Sequence, residues 1–259
     1  MLLLVGGGKM GAALLDGLAA AGEEVQVVER DPKRRADLQD QGHAVIEVPV
    51  RCDGAIIAVK PKDVELAVGD VASAGAGRLL SIAAGITSLQ LHRWAGPSIP
   101  VIRAMPNLGA VVGRSASAMC AGPGAHQADL DWADHVLSSV GSVVHVTEDQ
   151  MDAVTGLAGS GPAYFFLIAE ALIDAGVSAG LPYESARKLT IETMSGAAEL
   201  LSQPDAVPSQ LRANVTTPAG TTAAGLRLLE QRGLRAGLID AVAAATERSH
   251  QLGKPVADA

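Results

Sequence analysis

The fold is decided at the start of the chain, where residues 2–11 read Leu-Leu-Leu-Val-Gly-Gly-Gly-Lys-Met-Gly. The apolar run at residues 2–5 predicts a buried strand, and a helix with an apolar face at Leu14, Leu15 and Leu18 follows it. Glycines at the first, third and sixth positions of the intervening loop match the spacing G-x-G-x-x-G. Because this loop lies directly between a strand and a helix, the stretch predicts a βαβ unit that binds a dinucleotide.

Each glycine of this spacing has a physical task in such a unit. Gly6 makes the tight turn, Gly8 lets the backbone approach a pyrophosphate, and Gly11 lets the helix pack near the strand. The anion lies at the helix N-terminus, where unpaired N–H groups and the helix dipole favour negative charge. A glycine-rich connection without a ligand is the alternative, but the order of strand, motif, helix and second strand favours a cofactor. The predicted cofactor-binding residues of the loop are Gly6, Gly7, Gly8, Lys9, Met10 and Gly11.

The choice between NAD and NADP stays open, because two signals at the end of the second predicted strand conflict. Glu29 lies eighteen residues after Gly11, where an acidic side chain binds the ribose hydroxyls of NAD. Arg30 and the cationic run 33–35 follow, and any of these cations is available for the 2′-phosphate of NADP. The alternative for the run is a solvated first helical turn behind Asp31 as N-cap. Both Glu29 and Arg30 are predicted to bind the cofactor.

The rest of the chain divides into two parts. Short apolar runs alternate with helical patterns up to about residue 150, which is typical of βαβ units, and only helical patterns follow. We therefore expect an α/β fold with a Rossmann-type, mostly parallel sheet domain over residues 1–150. An all-helical domain for substrate binding and dimerisation is expected over residues 151–259. The predicted strands are residues 2–5, 25–28, 44–48, 55–59, 79–83, 99–102, 115–121 and 143–146, and the predicted later helices are residues 127–140, 163–176, 183–201, 223–232 and 234–252.

Charge and composition narrow the class of partner. The formal charge is −8 and the cations are scattered, so no basic stripe is present for nucleic acid or anionic lipid. The apolar opening is far shorter than the roughly 20 residues of a membrane span. Cys52 and Cys120 are interpreted as small buried hydrophobes, and the histidines show no metal-ligand spacing. We expect a cytoplasmic protein without nucleic acid, membrane or metal partners.

The helical half carries wide apolar faces rich in Ala, Leu and Gly. A small helical domain cannot cover such faces alone. The sequence therefore predicts a homo-oligomer, a dimer or larger, that shares a helical core between subunits.

Five further segments, taken with the glycine loop, resemble pyrroline-5-carboxylate reductases, which reduce a cyclic imine to proline. The last segment, residues 215–222, is close to the family's Val-Thr-Ser-Pro-Gly-Gly-Thr-Thr. The resemblance implies hydride transfer from NADPH or NADH to the C=N bond of 1-pyrroline-5-carboxylate, giving L-proline in the last step of proline biosynthesis. The segments are Ala58-Val59-Lys60-Pro61, Ser81-Ile82-Ala83-Ala84-Gly85, Arg103-Ala104-Met105-Pro106-Asn107, Gly159-Ser160-Gly161-Pro162-Ala163-Tyr164 and Val215-Thr216-Thr217-Pro218-Ala219-Gly220-Thr221-Thr222.

Three strand ends are implied to cradle the cofactor. From the residues alone they are ordinary strand termini at the carboxyl edge of a sheet, where dinucleotides bind. The resemblance places the Asn107 region near the nicotinamide. The cofactor-binding residues that it adds are Ala58, Val59, Lys60, Pro61, Ala83, Gly85, Met105 and Asn107.

The substrate is implied to bind at two helix starts. Helix capping alone would explain Ser160 and Gly161, whereas the resemblance turns their free N–H groups toward the substrate. The later loop is implied to hold the substrate carboxylate, and Thr222 is the implied catalytic residue, with its hydroxyl on the ring nitrogen. The predicted substrate-binding residues are Ser160, Gly161, Thr217, Ala219, Gly220, Thr221 and Thr222.

Two departures from the family pattern bear on substrate affinity. Ala219 stands where glycine is usual, which is harmless only if its φ angle is negative. Leu108-Gly109 follows Asn107 where Thr-Pro is usual, so the contact of that threonine is missing or moved.

Two rival functions fit parts of the sequence. A hydroxy-acid or other cyclic-imine reductase could have the same two-domain build, but the predicted helix 163–176 lacks the lysine on which hydroxy-acid reductases rely. A non-catalytic NAD(P)-binding redox sensor would not need the threonines at 217, 221 and 222.

Overall fold

The computed structural model describes residues 1–253, and residues 254–259, the end of the expected helical domain, lie outside the described part. Eight strands form one sheet, and all eight correspond to predicted strands, with ends shifted by a few residues at most. They are β1 (Leu2–Val5), β2 (Val25–Val28), β3 (Ala44–Ile46), β4 (Gly54–Ile57), β5 (Leu79–Ser81), β6 (Val101–Met105), β7 (Ser115–Ala121) and β8 (Gly141–His145).

The strand order is β3-β2-β1-β4-β5-β6-β7-β8. Strands β1 to β6 are parallel, and Leu4 pairs with Val27 on one side and with Ile56 on the other. β7 is antiparallel to β6, and β8 is parallel to β7, so the last two strands extend the sheet in the reverse direction. The order reverses between β1 and β4, and the carboxyl ends of strands at such a switch point are where open α/β sheets bind ligands. The expected Rossmann-type, mostly parallel sheet is confirmed.

Helices connect most of the strands and make up most of the described chain after β8. Short 3₁₀ helices occur at Pro61–Asp63, Leu108–Val112 and Glu148–Gln150, and a π-helix occurs at Thr155–Gly159. The α-helices are α1 (Lys9–Ala20), α2 (Pro32–Asp40), α3 (Val64–Ser73), α4 (Ser88–Ala95), α5 (Gln127–Ser138), α6 (Met151–Val154), α7 (Gly161–Ser178), α8 (Tyr183–Leu201), α9 (Pro208–Asn214), α10 (Thr221–Gln231) and α11 (Leu234–Gly253).

The sheet has a core on each face, because alternate residues of a strand point to opposite sides. Leu4 packs with Leu14 and Leu18 of α1 on one face. Leu3 packs with Val64 and Val68 of α3 on the other. Each fully buried side chain of this kind stabilises the fold by about 1.5–3 kcal/mol. Packing on both faces of the sheet thus fixes β1, and with it the position of the glycine loop that follows this strand.

The described residues form two compact units, residues 1–162 together with 242–253, and residues 163–241. In the first unit the end of α11 is tied down, because Ser249 donates its hydroxyl to Asp152 at 2.7 Å. In the second unit the helices expose much of their apolar surface. Phe165 and Phe166 of α7 are 62% and 57% exposed, and Ile239 of α11 is 62% exposed.

One helical stretch, Glu148–Ser178, is long and apolar enough to span a membrane, judged by length and composition only. The core helices of soluble proteins can meet the same two criteria. The stretch is therefore weak evidence for a membrane partner.

Candidate active site

The glycine loop after β1 is packed too tightly for larger residues at its two ends. Gly6 has a φ of +102°, and a Cβ there would lie 2.9 Å from the carbonyl oxygen of Ala58. A Cβ on Gly11 would lie 2.0 Å from the carbonyl oxygen of Gly6. Gly8, by contrast, has no heavy atom within 4 Å of a Cβ position, and it begins α1 without a side-chain cap. Open space before an uncapped helix start fits a pyrophosphate.

Gly7 has a role that sequence reasoning did not separate from the rest of the motif. Its N–H donates to Glu29 Oε2 at 2.9 Å, and a Cβ on it would lie 2.5 Å from Leu38 Cδ1 of α2. The loop is therefore fixed to the end of β2 as well as to β1.

A cavity of about 400 Å³ lies at the carboxyl ends of β1, β2 and β4. It brings together seven of the predicted cofactor residues. Lys62, Asp63 and Asp70 also line it. Its dimensions, its glycine rim and its cations fit a dinucleotide. The seven predicted residues are Gly6, Gly8, Glu29, Arg30, Ala58, Val59 and Lys60.

Other predicted cofactor residues do not line this cavity. The side chain of Met10 packs against the core, Lys9 is exposed beside Leu108, and Pro61 begins a 3₁₀ helix. Ala83 is buried after β5, and Gly85, with φ +75°, lies against Leu252 of α11. Gly7, Gly11, Met105 and Asn107 are also absent from the lining.

Glu29 is almost completely buried, at 5% exposure, and both of its oxygens are occupied. Oε1 accepts from the N–H of Asp31 at 2.8 Å, and Oε2 accepts from Gly7. Arg34 donates to both oxygens, with Nε 3.1 Å from Oε2 and Nη2 3.4 Å from Oε1. Burial acts to raise the pKa of Glu29, but these donors outweigh it, so the pKa lies below its ordinary value. Ribose hydroxyls can bind this carboxylate only if a present donor leaves.

The cationic run after β2 starts a helix, as its alternative interpretation predicted. Asp31 caps α2 by accepting from the N–H of Arg34 at 2.9 Å, and Pro32 is the first residue of the helix. Arg30 pairs with Asp70, and Arg35 pairs with Glu47 at 3.0 Å. The place of Arg34 in the first turn of α2 does not prevent it from binding the 2′-phosphate of NADP, since Arg30 and Arg34 both line the cavity.

A partly buried ion pair at the middle of β6 was not predicted. Arg103 Nη1 donates to Glu148 Oε1 at 2.6 Å, and the thiol of Cys120 donates to Glu148 Oε2 at 3.3 Å. Burial, with the neighbouring carboxylate, raises the pKa of Cys120 to about 12. The thiol is therefore inert, in keeping with its interpretation as a small buried residue. No sequence signal indicated that Arg103 and Glu148 are partners, because they are forty-five positions apart.

The side-chain amide of Asn107 forms hydrogen bonds to the backbone of other residues. Its Oδ1 accepts from the N–H of Gly109 at 3.0 Å and from that of Ala116 at 3.4 Å. Its Nδ2 donates to the carbonyl oxygen of Ala158 at 3.1 Å. These bonds tie the end of β6 to β7 and to the π-helix.

The expected free N–H at Ser160 is not present. Ser160 follows the π-helix without a break, and its N–H donates to the carbonyl oxygen of Thr155 at 2.9 Å. The segment is therefore not the capped helix start that the Gly-Pro pattern predicted, because the π turn supplies an acceptor for this amide. Gly161, the first residue of α7, is buried.

The later substrate loop, in the second unit, is a tight turn before α10. The N–H of Gly220 donates to the carbonyl oxygen of Thr217 at 3.0 Å, and no side chain caps the helix. The N–H groups of Thr221 and Thr222 are in the first helical turn, where no intrahelical acceptor exists. An anion at this point would be bound by these groups and by the helix dipole.

Ala219 has a φ of +58°, in the left-handed region. The condition under which this departure from glycine is harmless is therefore not met, because a Cβ in this conformation approaches the following carbonyl. Gly220 beside it is crowded, since a Cβ there would lie 2.3 Å from Thr217 Oγ1, and a larger residue would require the Thr217 side chain to move.

Known proteins match this chain over nearly its whole length. The family model described as pyrroline-5-carboxylate reductase dimerisation matches residues 148–252, and that described as NADP oxidoreductase coenzyme F420-dependent matches residues 2–85. Pyrroline-5-carboxylate reductase of Mycobacterium leprae is 40% identical, over 97% of this chain and 96% of its own. That of Synechocystis is 42% identical, over 97% of both chains.

Solved structures agree with this match. The pyrroline-5-carboxylate reductase of Coxiella burnetii has a TM-score of 0.92 and 31% identity, and each chain is covered to 98%. The Plasmodium falciparum enzyme, solved with NADP bound, has a TM-score of 0.85 and 29% identity, again over 98% of each chain. The chain described here belongs to the pyrroline-5-carboxylate reductase family.

Proposed function

We propose that this protein reduces the C=N bond of 1-pyrroline-5-carboxylate to L-proline with NADPH or NADH, completing proline biosynthesis. The observation that carries the proposal is the uncapped start of α10 behind the turn Thr217 to Gly220. It is a site for a small carboxylate, and it occurs in a chain that also has an uncapped, glycine-lined helix start at α1. An imino acid and a dinucleotide each have the anionic group that such a site requires.

The reduced nicotinamide supplies a hydride to the imine carbon when it is bound. Gly6, Gly8 and the first turn of α1 would hold the pyrophosphate of the cofactor. The residues that follow β4 would form one wall of the cofactor cavity. A cofactor-binding role for the residues at the ends of β5 and β6 is supported only by the family resemblance. These residues are Ala83, Gly85, Met105 and Asn107.

At α10, the N–H groups of Thr221 and Thr222 would hold the substrate carboxylate. The hydroxyl of Thr222 would bond to the ring nitrogen as that nitrogen becomes an amine. The imine nitrogen is basic enough to arrive protonated, so the protein needs to orient the substrate and exclude water rather than supply a strong acid.

The helical part carries the family's dimerisation segment, so the protein associates with copies of itself. We propose that the association is a homodimer or a larger assembly built through the helical domain. The exposed apolar residues of α7, among them Phe165 and Leu167, support this assignment. We propose that the assembly works in the cytoplasm, without nucleic acid or membrane partners.

The test is imine-dependent oxidation of NADPH and NADH, with L-proline identified as product. Turnover with proline formation is expected. Binding of either cofactor without turnover at any pH would favour a redox sensor, and turnover of a hydroxy acid's keto form instead would favour the rival reductase.

A further inference from the structure

Asn107 joins the sheet to an irregular helical segment that leads into the predicted substrate residues. Ala158, its partner, lies in the π-helix Thr155–Gly159. Ser160 and Gly161 follow this segment directly. Short π-helical insertions are often found at functional sites.

The carbonyl of Ala158 has no α-helical donor. An α-helical bond to it would come from the amide of residue 162, four positions on. That residue is Pro162, which has no N–H. The Nδ2 group of Asn107, 3.1 Å away, supplies the missing donor.

Packing fixes the same segment from two sides. A Cβ on Gly159 would lie 2.6 Å from Met105 Cε, at the end of β6. A Cβ on Gly156 would lie 2.4 Å from Thr246 Oγ1 of α11. The π-helix is therefore held between the sheet edge and α11, and the bond from Asn107 is its direct polar connection to the end of β6.

We propose that Asn107 is a positioning residue for the reductase reaction: by donating to Ala158 it holds the side chain of Ser160 and the start of α7 at Gly161 in place for the imino acid, while the N–H of Ser160 stays bonded to Thr155. The proposal rests on the proposed function, and it differs from a cofactor-contacting role for Asn107. One hydrogen of Nδ2 is used by Ala158, and the second has no partner among residues 1–253 in the structure. A contact from that hydrogen to the nicotinamide is the competing explanation, and the two make different predictions.

The variant Asn107→Asp separates them. It keeps an acceptor for the N–H groups of Gly109 and Ala116, and it places an oxygen opposite the carbonyl of Ala158. We expect the KM for the imine to rise by roughly tenfold, the effect of losing about one hydrogen bond. The dissociation constant of NADPH, from nucleotide fluorescence without substrate, is expected to stay within about twofold of wild type.

A second substitution supplies the rescue. Pro162→Ala supplies an N–H that can donate to the carbonyl of Ala158, so combining it with Asn107→Asp should bring the KM most of the way back to the wild-type value. Gln39→Glu, on the exposed side of α2, is the matched control for an amide-to-carboxylate change and should leave both constants unchanged. Thermal unfolding of each variant reports any loss of folded protein separately from the KM.

Three results would overturn the proposal. An unchanged KM in Asn107→Asp, with wild type active, removes the positioning role alone. Weaker NADPH binding with an unchanged KM shows that Asn107 contacts the cofactor. Absence of imine turnover in the wild type removes the proposed function, and this inference with it.

Discussion

The guanidinium of Arg34 covers the carboxylate of Glu29, with Nε 3.1 Å from Oε2. Glu29 is the residue that would bind the ribose hydroxyls of NAD, and Arg34 is a residue that would bind the 2′-phosphate of NADP. The acidic residue that favours NAD and a cationic residue that favours NADP therefore form one ion pair, Glu29 with Arg34. Arg34 is about half exposed while Glu29 is buried, so Arg34 is the partner that can move.

We expect Arg34→Ala to shift cofactor preference toward NADH. The variant loses a charge-assisted bond to the 2′-phosphate and uncovers Glu29 for ribose hydroxyls. The dissociation constant of NADPH should rise roughly tenfold, whereas that of NADH should stay or fall. Fluorescence titration with both cofactors measures this. Lys33→Ala, which removes a neighbouring cation and leaves Glu29 covered, is the control; an equal loss for both cofactors in Arg34→Ala would refute the assignment.

The lowered pKa of Glu29 makes stability depend on pH in a defined direction. The ionised carboxylate of Glu29 contributes its full stabilisation when the pH is above 4.5, the ordinary pKa of a glutamate. This contribution is lost as the pH falls through the lower pKa of Glu29 in the folded protein. Glu29→Gln should therefore cost about 1–2 kcal/mol of unfolding free energy near neutral pH and progressively less in acid. Urea unfolding across a pH series measures the difference. A difference that does not change with pH would contradict the expectation.

Ala219→Gly should stabilise the protein. The change relieves an alanine with φ +58°, and the relief of about 1–2 kcal/mol exceeds the roughly 0.5–1 kcal/mol entropic cost of glycine. The net gain in unfolding free energy is therefore about 0.5–1 kcal/mol.

Asp205→Gly is the matched control, because Asp205 is the other non-glycine residue with positive φ among residues 1–253. Aspartate tolerates this conformation better than alanine, so its gain should be smaller. Equal gains at both positions, measured by urea unfolding, would show that the strain at Ala219 is not specific.

Thr222→Ala should lower kcat/KM for the imine by roughly tenfold or more, through the loss of one hydrogen bond in the transition state. Thr222→Ser should retain most of the activity. Thr216→Ala is the control, since the hydroxyl of Thr216 is already committed to the carbonyl oxygen of Arg212 at 2.6 Å. Unchanged steady-state kinetics in Thr222→Ala would exclude the catalytic role.

Local patterns predicted the fold well. The run at residues 2–11 contains its own strand, turn and helix start, so the first βαβ unit needed no distant information. The reversed direction of β7 and β8 was not predicted, because an apolar run indicates a strand and carries no sign of its direction. Helix α9 was also missed, since its seven residues are too short for a clear periodicity.

The candidate site was predicted less completely, and for a different reason. The π-helix before Ser160 adds one residue to a turn, which leaves the spacing of apolar residues almost unchanged. The contacts Glu29 to Arg34 and Asn107 to Ala158 depend on side-chain directions in the folded chain. Motif matching identified the neighbourhood of these residues, but the partner of each became evident only in the structure.

The most direct test of the central claim follows the hydride itself. NADPH deuterated at one or the other face of C4 is supplied with 1-pyrroline-5-carboxylate, and the product is analysed by mass spectrometry. The proposed function predicts that one of the two labelled cofactors transfers a single deuterium to the former imine carbon of L-proline. Unlabelled proline from both cofactors, or no proline while NADPH remains bound, would contradict it.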